Sequence, residues 1–290
     1  MSAPDVSADS GIERGRLWLW IRVVVTLLAV VAVGLVAVAG LAFLSQHSMI
    51  YHPRPYGGAY LHALPTNGAE IDYVVPFGKE AAYYVPGRDQ VPKRLWIAFC
   101  GNGSLALDWT PMLRRYPSNG DAFLLIDYPG YGRNSGYATI DSTRATANAA
   151  LKALAKRLDS HEDQIPLCVI GHSLGAAAAL DFAARHPVQR IVLVSPFTTL
   201  REEAAHVFGP LARLLVESYD NRENLRTVFR RNPDVRVAIF HGTHDELIPI
   251  QMGRQLKQDF PVADFFSIQG ADHGSVLYFG QDQIVAWMNR

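Results

Sequence analysis

LCVIGHSLGAAAAL, residues 167–180, carries three signals in a row. An apolar run has the length of a buried strand, a glycine-bounded turn follows, and an alanine-rich helical stretch comes next. The turn is Gly171-His172-Ser173-Leu174-Gly175. Between a strand and a helix, flanking glycines let the serine take a strained backbone and lift its hydroxyl above the sheet. Ala176 to Ala179 let the helix pack close. The five-residue pattern alone is weak in a chain with 23 glycines, and its strand-to-helix setting makes it informative.

Outward from this turn, short apolar runs alternate with amphipathic ones. IDYVV (71–75) and AAYYV (81–85) read as an opening hairpin. LWIAFC (95–100), AFLLIDY (122–128), LCVIG (167–171), IVLVS (191–195), VAIFHG (237–242) and ADFFSI (263–268) read as strands. Helices are expected over 104–115, 143–158, 174–185, near 251–258 and over 275–287, with a small helical cap at about 197–234. Near-continuous apolar strands separated by helices imply an α/β fold. We expect a mostly parallel, roughly eight-stranded sheet with helices on both faces, spanning 71–290. Active sites in such sheets lie at the carboxyl ends of the strands.

A serine hydroxyl needs a base, and the base an orienting carboxylate. Asp245 follows the strand VAIFHG and His273 follows ADFFSI, so both stand at strand ends. The order Ser173, Asp245, His273 is that of the α/β-hydrolases. His172 shares the serine's turn and is expected to serve packing. Asp272 is the second-choice orienter, and His244 or Glu246 would replace Asp245 only with the loop read one residue out. His241 and His244 lack a third ligand or an HExxH pattern, so no metal is expected, and no cofactor. The developing oxyanion needs donors. The backbone N–H of Leu174 is one candidate, and that of Asn102, in the loop Cys100-Gly101-Asn102-Gly103-Ser104, is the other.

At these residues the chain resembles the α/β-hydrolase superfamily. More narrowly, it looks like the membrane-anchored α/β-hydrolase-domain serine hydrolases, which include protein depalmitoylases and monoacylglycerol or lysophospholipid lipases. The stretches that carry the likeness are FCGNGS (99–104), LLIDYPGYGRNSG (124–136), VIGHSLGAAAAL (169–180), VSPFTTL (194–200), IFHGTHDELIP (239–249) and GADHG (270–274). The resemblance implies Ser173 as nucleophile, Asp245 as acid and His273 as base. It departs at Cys100, where that branch usually has a histidine. It implies cleavage of acyl esters or thioesters, with a serine peptidase or an inactive binding protein on the same scaffold as alternatives.

Before this domain, 22 consecutive uncharged residues run from Val23 to Leu44. At about 1.5 Å per residue they reach across about 30 Å of hydrocarbon. We expect a tail at 1–16, a transmembrane anchor at 17–44 and a juxtamembrane linker at 45–70. Trp18 and Trp20 on one side and Tyr51 and Tyr56 on the other fit interfacial belts. Arg14, Arg16 and Arg22 precede the run and only Arg54 follows closely. That bias puts the N-terminus in the cytoplasm and the large C-terminal part outside it. A cleavable signal peptide ending near Ala37-Val38-Ala39 is the rival reading.

The 27 basic and 27 acidic residues cancel, and 49% of the 290 residues are hydrophobic. Such a chain is too apolar for disorder and lacks the positive field of a nucleic-acid binder. Cys100 and Cys168 cannot form a disulfide framework and read as buried thiols. Arg222, Arg226 and Arg230 make a basic stripe, either a solvated face or a patch for anionic headgroups. Oligomeric state is not legible.

Overall fold

A computed structural model describes residues 7–89, 91–117, 120–215 and 217–290. The chain divides into two compact units, Met1–Gln46 and His47–Arg290.

Helix α1 runs Ser7–Ile50. Within it, Arg16–Leu41 has mean hydropathy 2.8 and is long and apolar enough to cross a membrane. Residues 1–6 of the expected tail lie outside the described residues, and the rest of it is helical. A long apolar helix propagates readily into flanking Glu13, Arg14 and Arg16, which are good helix formers.

The second unit is an eight-stranded sheet among the described residues, in the order β1-β2-β4-β3-β5-β6-β7-β8. In chain order, β1 is Ala69–Val75, β2 Gly78–Val85, β3 Arg94–Phe99, α2 Thr110–Leu113, β4 Asp121–Ile126 and α3 Ile140–Arg157. Then come β5 Leu167–His172, α4 Leu174–Arg185, β6 Val188–Val194, α5 Leu200–Phe208 and α6 Asn221–Arg231. The last are β7 Arg236–Gly242, α7 Ile250–Asp259, β8 Asp264–Ile268, α8 Val276–Phe279 and α9 Gln281–Met288. β2 pairs antiparallel with β1 and β4, and the remaining pairs are parallel.

The central strands carry near-continuous apolar runs because both faces are covered. Along β3, Leu95, Ile97 and Phe99 join one core, while Trp96 and Ala98 join the other. β5 repeats this with Leu167 and Val169 against Cys168 and Ile170. The first core takes Leu151 and Leu154 of α3, Phe182 of α4, Leu225 of α6 and Leu256 of α7. The second takes Met112 of α2 and Ile284 and Trp287 of α9. Each large aliphatic side chain so enclosed contributes about 1.5–3 kcal/mol.

Three elements differ from the sequence expectation. The helix expected over 104–115 is a 3-10 turn, Ala106–Trp109, running into the short α2. The helix expected over 275–287 breaks at Gly280, which abuts Ile268 closely enough that a Cβ would sit 3.1 Å from its Cγ1. The linker expected at 45–70 begins with the end of α1, and Tyr51 then enters the core with 2% exposure.

Candidate active site

Gly171, next to last in β5, lies so tightly against α4 that a Cβ there would be 2.0 Å from the Gly175 carbonyl oxygen. A Cβ on Gly175 would lie 2.3 Å from the Phe99 carbonyl oxygen, where β3 ends. Only glycines fit this crossing of strand end and helix start. Between them Ser173 takes φ 56° and ψ −121°, a region non-glycine residues avoid. Its N–H donates to the Val194 carbonyl at 2.9 Å, tying the turn to the end of β6. Leu174 opens α4, so its N–H belongs to the first turn, where donors lack intrahelical partners and the helix dipole favours negative charge.

Asp245 and His273 meet, although 28 residues separate them. His273 Nδ1 lies 2.9 Å from Asp245 Oδ2 and 3.1 Å from Oδ1. A carboxylate only accepts, so Nδ1 carries a proton and donates it, and in the neutral ring Nε2 is then the nitrogen with the free lone pair. The two loops are stitched together: His244 N–H donates to the Ala271 carbonyl, and Gly270 N–H to Thr243 Oγ1, each at 2.9 Å. Asp245 Oδ1 also accepts the N–H groups of Leu247 and Ile248 at 3.2 and 2.9 Å. Burial pushes this carboxyl up. Hydrogen bonding from the His241 and His273 rings and from Ile248 outweighs burial and leaves it well below the usual carboxylate range. His241 itself sits with Nε2 2.8 Å from the Ile248 carbonyl, its shortest polar contact, and 3.5 Å from Asp245.

His172 does more than pack. Its Nε2 donates to the His273 carbonyl at 3.0 Å, and the two rings lie 4.9 Å apart. Burial and the neighbouring His273 push its pKa down to about 3, so the ring stays neutral. The serine's turn thus holds the backbone of the histidine loop. No hydrogen bond joins Ser173 Oγ to His273, a contact that in hydrolases commonly tightens only with substrate bound.

The other candidates separate by burial. His244 and Glu246 are exposed and Asp245 is buried. Asp272 accepts from the N–H groups of Gly274 and Ser275, at 3.0 and 2.7 Å, and so shapes its own loop. The loop after β3 packs on the turn, since a Cβ on Gly101 would lie 2.9 Å from His172 Nδ1. Asn102 is in that loop, and its side chain faces His52 and Tyr131. Cys100 is buried and its thiol is pushed well up by burial.

The cap contributes Glu203 on α5. One of its carboxylate oxygens is buried without a partner among the described residues. Burial and the charge of Asp245 push its pKa up to about 7, against the pull of His273. The basic stripe is largely spent on ion pairs. Arg222 bridges Glu202 at 2.7 Å and Asp259 at 3.0 Å, while Arg226 and Arg230 share Glu223.

The profile of the serine aminopeptidase S33 family matches residues 92–238, just over half of the chain. The chain belongs to this α/β-hydrolase family. Among relatives, the hydrolase is 34% identical over 139 residues to an uncharacterised protein of Mycobacterium tuberculosis, covering 47% of each chain. It is 30% identical over 159 residues to human alpha/beta hydrolase domain-containing protein 17B, covering 53% of this chain and 51% of that one. The match therefore spans about half the length of these curated relatives. In structure the hydrolase is similar to an esterase of Pyrococcus furiosus, with TM-score 0.61, 15% identity, and 83% and 97% of the two chains covered. It is also similar to the esterase domain of a Rhodothermus marinus protein, with TM-score 0.56, 21% identity, and 77% and 98% covered. These two likenesses concern the fold.

Proposed function

We propose that this hydrolase is a serine hydrolase that cleaves acyl esters or thioesters through an acyl-enzyme. In this reading His273 Nε2 takes the proton of Ser173 Oγ as that oxygen attacks the acyl carbonyl. Asp245 steadies the imidazolium, and the N–H groups of Leu174 and Asn102 receive the oxyanion. His273 then gives the proton to the leaving oxygen or sulfur, and water repeats the sequence to release the acid. The observation that carries the reading is the 2.9 Å contact of His273 Nδ1 with Asp245, on a loop that the serine's own turn holds through His172. A fluorophosphonate probe should label the protein, and Ser173→Ala should abolish labelling. Equal labelling of the variant would sink the assignment.

A peptidase is the second reading, favoured by the description of the matched family. Parallel assays with 4-nitrophenyl acyl esters, acyl thioesters and aminoacyl 4-nitroanilides separate the two. Turnover of the anilides alone would reverse the preference.

We further propose that α1 anchors the enzyme in a membrane, N-terminus in the cytoplasm and catalytic unit outside, where acyl substrates are concentrated at the lipid surface. Removal of residues 1–46 should leave turnover of a soluble ester unchanged and lower turnover of long-chain substrate in vesicles. An unchanged ratio of the two rates would point to a water-soluble substrate. A C-terminal reporter active only outside the cytoplasm tests the orientation.

A further inference from the structure

The residues directly after α1 run His52-Pro53-Arg54-Pro55-Tyr56, and every second one grips the loop between β3 and α2. His52 N–H lies 2.8 Å from both Asn102 Oδ1 and the Tyr131 hydroxyl, and Asn102 Nδ2 is 3.2 Å from His52 Nδ1. The Arg54 guanidinium pairs with the Asp108 carboxylate, which also accepts the Leu105 N–H at 2.9 Å. The Tyr56 hydroxyl donates to Asp127 Oδ2 at 2.7 Å and accepts the Leu107 N–H at 3.3 Å. Asp127 Oδ1 takes the Ala106 N–H at 2.7 Å. Three successive backbone donors of the loop, Leu105 to Leu107, are therefore bound to side chains rather than to a helix. These N–H groups open the 3-10 turn Ala106–Trp109 and have no intrahelical partner, so the side chains cap that turn.

Two details show that the segment is built for this. Prolines at 53 and 55 fix φ near −65° and hold the chain extended at little entropic cost on folding. The far side is docked too: Gly132 N–H donates to the Arg54 carbonyl at 2.9 Å, and Pro55 bridges Gly132. Asn102 is the point where this segment reaches the catalytic machinery. Its Oδ1 accepts from His52 and, at 3.0 Å, from the Tyr131 hydroxyl.

We propose that His52–Tyr56 is a positioning strap for the oxyanion hole. It holds Asn102 by the side chain so that the Asn102 backbone N–H stays aimed at the oxygen that becomes negative in the transition state. The strap rests on the reading of Asn102 as an oxyanion donor. Loosening it leaves ground-state binding alone and weakens an interaction made in the transition state, so kcat falls and KM does not. Complete loss of such a donor costs about 100–1,000-fold in kcat. A donor that is loosened but present should cost roughly 10-fold.

The test uses the full-length protein in detergent with 4-nitrophenyl butyrate. Asn102→Ala keeps the N–H and removes the clasp, and Tyr131→Phe removes one hydroxyl from a buried ring. Each should lower kcat roughly 10-fold with KM within about twofold and the melting temperature nearly unchanged. Because both act through one clasp, the double variant should be no slower than the slower single. Wild-type kcat in both variants, losses that multiply, or a drop seen only with a fallen melting temperature would overturn the strap. Fluorophosphonate labelling of the wild-type protein runs alongside. Failure to label overturns the serine reading and the strap with it, whereas intact labelling with unaffected variants overturns the strap alone.

Discussion

Ser173 occupies a backbone region that costs an L-residue about 1–3 kcal/mol, and the strain is held by glycines on both sides. Ser173→Gly relieves it and Ser173→Ala does not. Both variants should be inactive, and the glycine variant should be the more stable by about 1 kcal/mol in urea unfolding. Equal stabilities would mean the turn is unstrained. Glu203 permits a prediction of opposite kind. Burial raises its carboxyl to about 7, so it contributes stability that is whole below about pH 4 and lost as pH rises toward about 7. Glu203→Gln removes that titration, so the melting temperature of the variant should lose less than the wild-type protein's between about pH 4 and pH 7. An unchanged pH dependence would contradict the burial of this carboxyl. At this scale the sequence is legible where chemistry dictates order: a serine after β5, an acid after β7 and a histidine after β8. It is silent on His172, whose partner is a backbone carbonyl 101 residues away. No side-chain pattern marks such a bond. Burial separates Asp245 from His244 and Glu246, and burial within a loop has no periodicity to betray it.

Among the elements, the crossing of β5, α4 and β3 is the tightest joint described. Gly175→Ala would drive a methyl group to 2.3 Å from the Phe99 carbonyl oxygen, with backbone rather than a flexible side chain as the obstacle. We expect destabilisation of at least about 1–3 kcal/mol and loss of activity, read by denaturant unfolding and ester turnover. A variant of normal stability would show that α4 can retreat from the sheet. The strand and helix of this joint are readable almost to the residue, because packing on both faces forces continuous apolarity and small residues. α3 begins three residues earlier than its apolar period suggests, since Thr139 caps it by accepting the Ser142 N–H at 2.9 Å. The strap escapes notice for the reverse reason. It is extended, proline-rich and exposed, with no apolar period, and its meaning lies in partners 50 to 79 residues away.

For the whole catalytic unit, buried carboxyls set the response to pH. Glu80 and Asp127 are both pushed up to about 7, chiefly by burial. A carboxyl that keeps its proton more firmly folded than unfolded contributes stability that is whole below about pH 4 and is lost as pH rises through about 7. Asp245 has the opposite sign, and its contribution is lost only in strong acid. These two should therefore pull the melting temperature down between about pH 4 and pH 7, against the buried neutral His172, and Asp127→Asn or Glu80→Gln should lessen that pull. A rising curve would mean that other groups outweigh these two. The mostly parallel sheet and its two cores follow from the alternation of strands and helices in the sequence, whereas the crossover that puts β4 between β2 and β3 does not. The buried carboxyls are not legible there, because Glu80 precedes the apolar run 81–85 that marks the strand, and Asp127 lies in the run 122–128 with nothing to show that it is enclosed.

An alternating strap has a parity. A single residue inserted between His52 and Tyr56 would turn the residues beyond it to the opposite face, exchanging proline for the groups that meet Asn102, Asp108 and Asp127. Two inserted residues restore the phase at the cost of a bulge. Between the end of α1 and the loop beside Ser173, the chain therefore counts in twos, and an odd change in length is a change of chemistry.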